Sequence, residues 1–133
     1  MSGETDLDTM LTHLTVTVRP GRFSVAQVDG PVTLGDGVEA LLREDEGVTA
    51  VATVEAAARE GWAVDFEAAW LTLDVHSSLE AVGLTAAVAA ALAAEDIPCN
   101  VLAGYLHDHL LVPVGRADDA VACLARLRSG RPR

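Results

Sequence analysis

At 133 residues, with half of them apolar and 22% charged, the chain is long enough for one domain or two small ones packed together, and its composition excludes a disordered or low-complexity protein. Nine arginines, no lysine and twenty acidic residues give a net charge of −11; four of the arginines fall in the last eight residues, so residues 1–125 stand at −15. A surface of that sign repels nucleic-acid phosphates and anionic lipid heads, so neither nucleic acid nor a membrane is an expected partner.

The first eight residues are polar and acidic, unlike a secretory signal, and a cytoplasmic location is expected. Leu7, Met10, Leu11 and Leu14 follow the i, i+3, i+4, i+7 spacing of an amphipathic helix, with Asp6 placed to cap it. Arg19-Pro20-Gly21 reads as a break, Arg22–Val28 as a strand, and Gly35-Asp36-Gly37 as a loop. Glu44-Asp45-Glu46 reads as a solvated turn before a second strand over Gly47–Val54, whose residues are largely β-branched. Thr53 or Glu55 opens a short helix that Gly61 stops.

In the second half, Trp70–Val75 alternates, with Leu71, Leu73 and Val75 on one face and Trp70, Thr72 and Asp74 on the other. Ser77-Ser78-Leu79-Glu80 has the S-x-x-E spacing of a capping box, and Leu84, Val88 and Leu92 recur at helical spacing as far as Glu95. Cys99–Leu106 and Leu110–Val114 read as strands joined through His107-Asp108-His109, and Ala117–Leu127 as a closing helix before a frayed basic tail. Residues 67–133 thus read β-α-β-β-α, a ferredoxin-like unit without its last strand. A strand from the first half is expected to fill that place, with Arg22–Val28 the candidate, because an open sheet edge is normally paired or covered.

The run Trp70-Leu71-Thr72-Leu73-Asp74-Val75-His76-Ser77-Ser78-Leu79-Glu80-Ala81-Val82-Gly83-Leu84-Thr85 resembles the signature of a family of small bacterial ACT-domain proteins. Cys99-Asn100-Val101, His107-Asp108-His109 and Val112-Pro113 are similar to the same family, whereas Leu110-Leu111 stands where that family tends to carry an aromatic. The resemblance implies an α+β fold of two interlocked ACT-like halves, residues 1–66 and 67–133, arranged like the regulatory region of aspartate kinases. It also implies a small-molecule binder, with an amino acid the expected effector, and a homo-oligomer, because ACT domains bind effectors at interfaces between copies.

On that resemblance the ligand lies against the loop from His76 to Thr85. Unpaired N–H groups at a helix start suit a carboxylate, and Gly83 permits close approach. The expected binding residues are His76, Ser77, Ser78, Glu80, Val82, Gly83, Leu84 and Thr85, with Asn100 and Val101 on the next strand. Asn100 offers a donor and an acceptor, and Glu80 an anion for an ammonium group. The same residues also admit a plain structural reading: Ser77 and Glu80 cap each other, Gly83 allows packing, and Asn100 bonds backbone.

His107, Asp108 and His109 are expected to finish a hairpin and line an interface or ligand site. With His76 and Cys99 they include metal-ligand types, but consecutive turn side chains diverge and no H-E-x-x-H or paired-cysteine motif accompanies them, so no metal or other cofactor is expected. Ser77, Ser78, Cys99 and Cys123 are nucleophile types, yet no nucleophile-elbow, phosphate-loop or dinucleotide motif frames them. The sequence therefore points to a free-standing regulatory module without catalytic activity; the alternative is a protein-interaction or oligomerisation module with a vestigial pocket.

Overall fold

The computed structural model describes residues 6–76 and 78–129. Its helices are α1 (Leu7–Thr12), α2 (Val54–Glu60), α3 (Leu84–Ala93) and α4 (Ala117–Ser129), the last preceded by a 3₁₀ turn over Val114–Arg116. Its strands are β1 (Val16–Val28), β2 (Val38–Glu44), β3 (Gly47–Thr53), β4 (Glu67–Leu73), β5 (Asn100–Ala103) and β6 (Asp108–Pro113). This is the α+β, ferredoxin-like arrangement expected from the sequence. Its residues group into two compact units, one drawing on the chain up to Arg19 and from Ala69 onward, the other on Pro20–Ala68.

In the first unit the strands run in the order β1-β4-β6-β5. Asp6 caps α1 as its sequence suggests, its carboxylate accepting the Thr9 N–H at 2.9 Å. Met10, Leu11 and Leu14 then enter one apolar core with Leu71 and Leu73 of β4, Leu84, Val88 and Leu92 of α3, Leu110 and Val112 of β6, and Ala120, Cys123 and Leu124 of α4. Arg116 closes the far end of α3, its guanidinium donating to the carbonyls of Glu95 (3.1 Å) and Asp96 (3.3 Å) while its Nε bonds Asp119 at 2.8 Å. A cation is thereby supplied to a helix whose own last turn has none.

In the second unit the order is β2-β3-β1. Phe23 to Val28 pair antiparallel with Thr53 to Val48, and Asp45 and Glu46 form the turn of the β2–β3 hairpin. Ala26, Val28, Val38, Ala50, Ala52 and Ala56 make its core, with Trp62 packed against them. Thr53 caps α2 through its hydroxyl, 3.0 Å from the Ala56 N–H, and Gly61 ends the helix at φ +77°.

Three local expectations are corrected, and one strand that the sequence did not suggest is added. Arg19-Pro20-Gly21 does not end an element: β1 runs through it, because proline's fixed φ suits extended backbone and Gly21 takes φ +96°. The passage from one unit to the other falls at that point. Residues 38–44, which carry no clean alternation, form a full strand by pairing with β3. The capping box does not start α3, which begins at Leu84; the Ser78 hydroxyl instead accepts the Glu80 N–H at 3.1 Å in a turn, and Ser77 lies outside the described residues. Finally, the β5–β6 turn is Gly104–His107, closed by Gly104 N–H to the His107 carbonyl at 2.9 Å, so Asp108 and His109 belong to β6.

Candidate functional site

In the first unit, β4 delivers the chain into the segment leading to α3. The Asp74 N–H bonds the Thr15 carbonyl at 2.7 Å, and its carboxylate accepts the Thr17 hydroxyl, which fixes the start of that segment. Gly83 is the N-cap residue of α3, at φ +108° and ψ −23°, and no side chain caps the helix there. The first N–H groups of α3 therefore lack an intrahelical or side-chain partner and carry partial positive charge. Beside them is a hollow of about 180 Å³ bounded by Ser78, Ala81, Gly83 and Thr85 on one side and Ala103, Gly104 and Asp108 on the other. Among the described residues Asp108 is the only ionisable side chain lining it.

The sequence-selected residues divide accordingly. Ser78, Gly83, Leu84, Thr85 and Asp108 meet around the hollow, whereas His76, Glu80 and Val82 do not line it. The rings of His76 and His107 stand 6.4 Å apart. Asn100 pairs opposite Leu111, and Val101 opposite Leu110. Leu110 enters the helix-covered core and Leu111 does not, so alternation places Asn100 on the face away from α3. His109, opposite Leu102, shares that outer face: its Nδ1 lies 2.9 Å from the Thr72 hydroxyl and its ring 5.5 Å from that of Trp70. Arg19 stacks on the same Trp70 ring at 3.9 Å. Partial burial, then the charges of Arg19 and His107, hold the His109 imidazole below its ordinary pKa.

Gly83 has a second constraint. A Cβ there would stand 3.0 Å from Leu7 Cδ2, so its missing side chain makes room for α1. Missed by the sequence reading are Leu79, Ala81, Ala103 and Gly104 of the lining. Only the glycine carried a usable signal: at Gly104 a Cβ would meet the His107 carbonyl at 2.7 Å.

Two ACT-domain family models match the chain, one over residues 2–69 and the other over residues 65–126. A Vibrio cholerae protein of unknown function, given as a possible transport protein, is similar in structure with a TM-score of 0.80 and 36% identity, over 92% of this chain and 95% of that one. The chain belongs to the ACT-domain family. The regulatory subunit of aspartate kinase from Thermus flavus has the same fold at 9% identity, with a TM-score of 0.60 over 96% of this chain and 99% of that one. Aspartokinase alpha and beta subunits also share it, at 11% identity and a TM-score of 0.61, over 86% of this chain and 97% of those chains. No curated protein matches.

ACT domains are regulatory modules that typically bind amino acids. The hollow lies within the C-terminal ACT match, on the segment between its first strand and helix. Around this ACT half, burial pushes the thiols of Cys99 and Cys123 up, and Cys123 donates to the Ala91 carbonyl at 3.3 Å, so neither has the electropositive setting of an activated thiolate. Among the described residues no three of His, Cys, Asp and Glu come together as a metal-ligand group, and no helix is long and apolar enough to cross a membrane.

Proposed function

We propose that this ACT protein is a non-catalytic regulatory module that binds a free amino acid at the start of α3. The observation that carries the reading is the pairing of opposite polarities across one small hollow. Uncapped backbone N–H groups at Leu84 and Thr85 suit an α-carboxylate, and the Asp108 carboxylate faces them to receive an ammonium group. Asp108 thereby takes the role the sequence reading divided between Glu80 and Asn100. A volume of about 180 Å³ is below the ~300–1,000 Å³ of drug-sized sites, which favours a ligand of few heavy atoms.

A second reading, an interaction or oligomerisation surface, is favoured by the residues around the hollow's mouth. Leu79, Val82 and Tyr105 are 64%, 82% and 69% exposed and stand with Leu106 on the two loops that border it. The two readings are compatible, since a second copy seated on these side chains would close the hollow over its ligand.

Thermal denaturation against the twenty amino acids tests the proposal. A ligand at 100 times its Kd adds about 2.7 kcal/mol of stability, and Asp108→Asn should remove that gain while leaving the unliganded melt in place. Failure of every amino acid to stabilise the protein, together with a dimer in sedimentation that Val82→Asp dissociates, would leave the interaction reading alone.

A further inference from the structure

A larger groove lies in the same unit, between Thr12–Val16 and the last two turns of α4. It holds about 550 Å³, within the ~300–1,000 Å³ range of small-molecule sites. Its floor is apolar: Leu14 and Leu124 are buried, and Val16 and Val121 pack half-buried against the same core. Among the described residues no Asp or Glu lines it, in a chain with twenty acidic residues against nine arginines, and Arg128 is the one charged residue of its lining.

Two carbonyls at its edge are already engaged. That of Thr12 accepts Arg128 Nε at 3.1 Å, and that of Ala125 accepts the Ser129 hydroxyl at 3.0 Å. Among the described residues Arg128 makes no other hydrogen bond and no ion pair, so its two Nη groups remain for an acceptor. A planar guanidinium at the end of an apolar trough matches a molecule with a carboxylate head and a hydrocarbon body.

We propose that this groove is a second ligand site, independent of the hollow at α3, that binds an amphipathic monocarboxylate. The carboxylate pairs with the Nη groups of Arg128, and the chain lies on Leu14, Val16, Val121 and Leu124. Among the described residues no acidic side chain of the groove opposes it, and the hydrocarbon burial supplies what one exposed ion pair cannot.

Calorimetry on the intact protein tests this, with octanoate below its self-association concentration as the probe and 1-octanol as its uncharged counterpart. Octanoate should bind up to about fivefold tighter than octanol, and Arg128→Met, which keeps the apolar stem, should erase that difference by weakening octanoate alone. Ala125→Glu sets a carboxylate at an exposed position of the lining and should weaken octanoate in the same way while the melt stays cooperative. Amide shifts on binding should fall on residues 12–16 and 121–129. Equal affinity for acid and alcohol, octanoate binding unchanged by Arg128→Met, shifts at residues 78–85 instead, or binding that appears only after residues 130–133 are removed would each overturn the proposal, the last by making the chain's own end the occupant.

Discussion

Gly83→Ala separates two explanations of one glycine at the proposed site. The backbone there is at φ +108°, ψ −23°, a region an L-residue enters at a cost of about 1–3 kcal/mol. The added Cβ would also stand 3.0 Å from Leu7 Cδ2 and 3.5 Å from Cδ1, so Leu7 must retreat by a few tenths of an ångström on the half-buried face of α1. Together these predict a loss of about 2–3 kcal/mol in urea denaturation followed by circular dichroism. The two parts are separable in a double-mutant cycle with Leu7→Ala: the steric share disappears when Leu7 is shortened, so Gly83→Ala should cost about 0.5–1 kcal/mol less in that background. The torsional share should stay. If Gly83→Ala lies within 0.5 kcal/mol of wild type while amino-acid binding is lost, the glycine serves ligand approach and the structural argument fails. Equal costs in both backgrounds would refute the Leu7 contact.

Ser24 is wholly buried on β1 with no hydrogen-bond partner for its hydroxyl among the described residues, so Ser24→Ala should be neutral or stabilising by up to about 1–2 kcal/mol in the same assay. His109 binds its proton less readily in the folded chain than the ordinary imidazole pKa of 6.5 implies, so below pH 6.5 the unfolded chain takes up more protons and this group's contribution falls as pH falls. The stability difference between wild type and His109→Gln should therefore shift against wild type on acidification from pH 7 to 5; a constant difference would contradict the assignment. Residues 69–133 alone lack Met10, Leu11 and Leu14, each at most 2% exposed in the intact unit, and losses of about 2–5 kcal/mol apiece exceed what a small domain holds in reserve. That fragment should show no cooperative melt, and a soluble, two-state fragment would sink the claim.

Where periodicity and a capping residue coincide, the sequence could be read directly. Asp6 with Leu7, Met10 and Leu11 gives α1, and Thr53 with Gly61 gives α2, because those signals act within a few residues. β2 was not legible, since Val38–Glu44 is a strand through its ladder to β3 rather than through its own alternation. At the candidate site the loop and Asp108 could each be found, but that they face one another across the hollow could not. Reading His107-Asp108-His109 as the turn leaves the face of each residue undefined. Moving the turn to Gly104–His107 sets Asp108 opposite Ala103 and His109 opposite Leu102, on opposite faces of the sheet. The same alternation removes Asn100 from the hollow. Position along the strand is thus a local property, but the face a residue presents depends on register, and register is set by pairing with a distant strand.

The two ACT matches meet at residues 65–69, yet the compact units exchange chain at Arg19 and Ala69. What is contiguous in sequence is therefore not what packs together. Leu14 and Val16 belong to the N-terminal match, but Leu14 is buried in the core that holds α3 and α4, and both residues form one wall of the groove whose other wall is α4. Arg128 ties that arrangement across 116 positions of sequence through the Thr12 carbonyl. A groove made this way exists only once residues 7–16 have closed onto the last helix, a contact that must meet its loop-closure entropy before it yields any burial. A ligand held there bears on the packing of the N-terminal segment against α4, and through it on the same core that seats the start of α3. Any coupling between the groove and the α3 hollow would therefore act through the stability of one shared core, with no rearrangement of either half required.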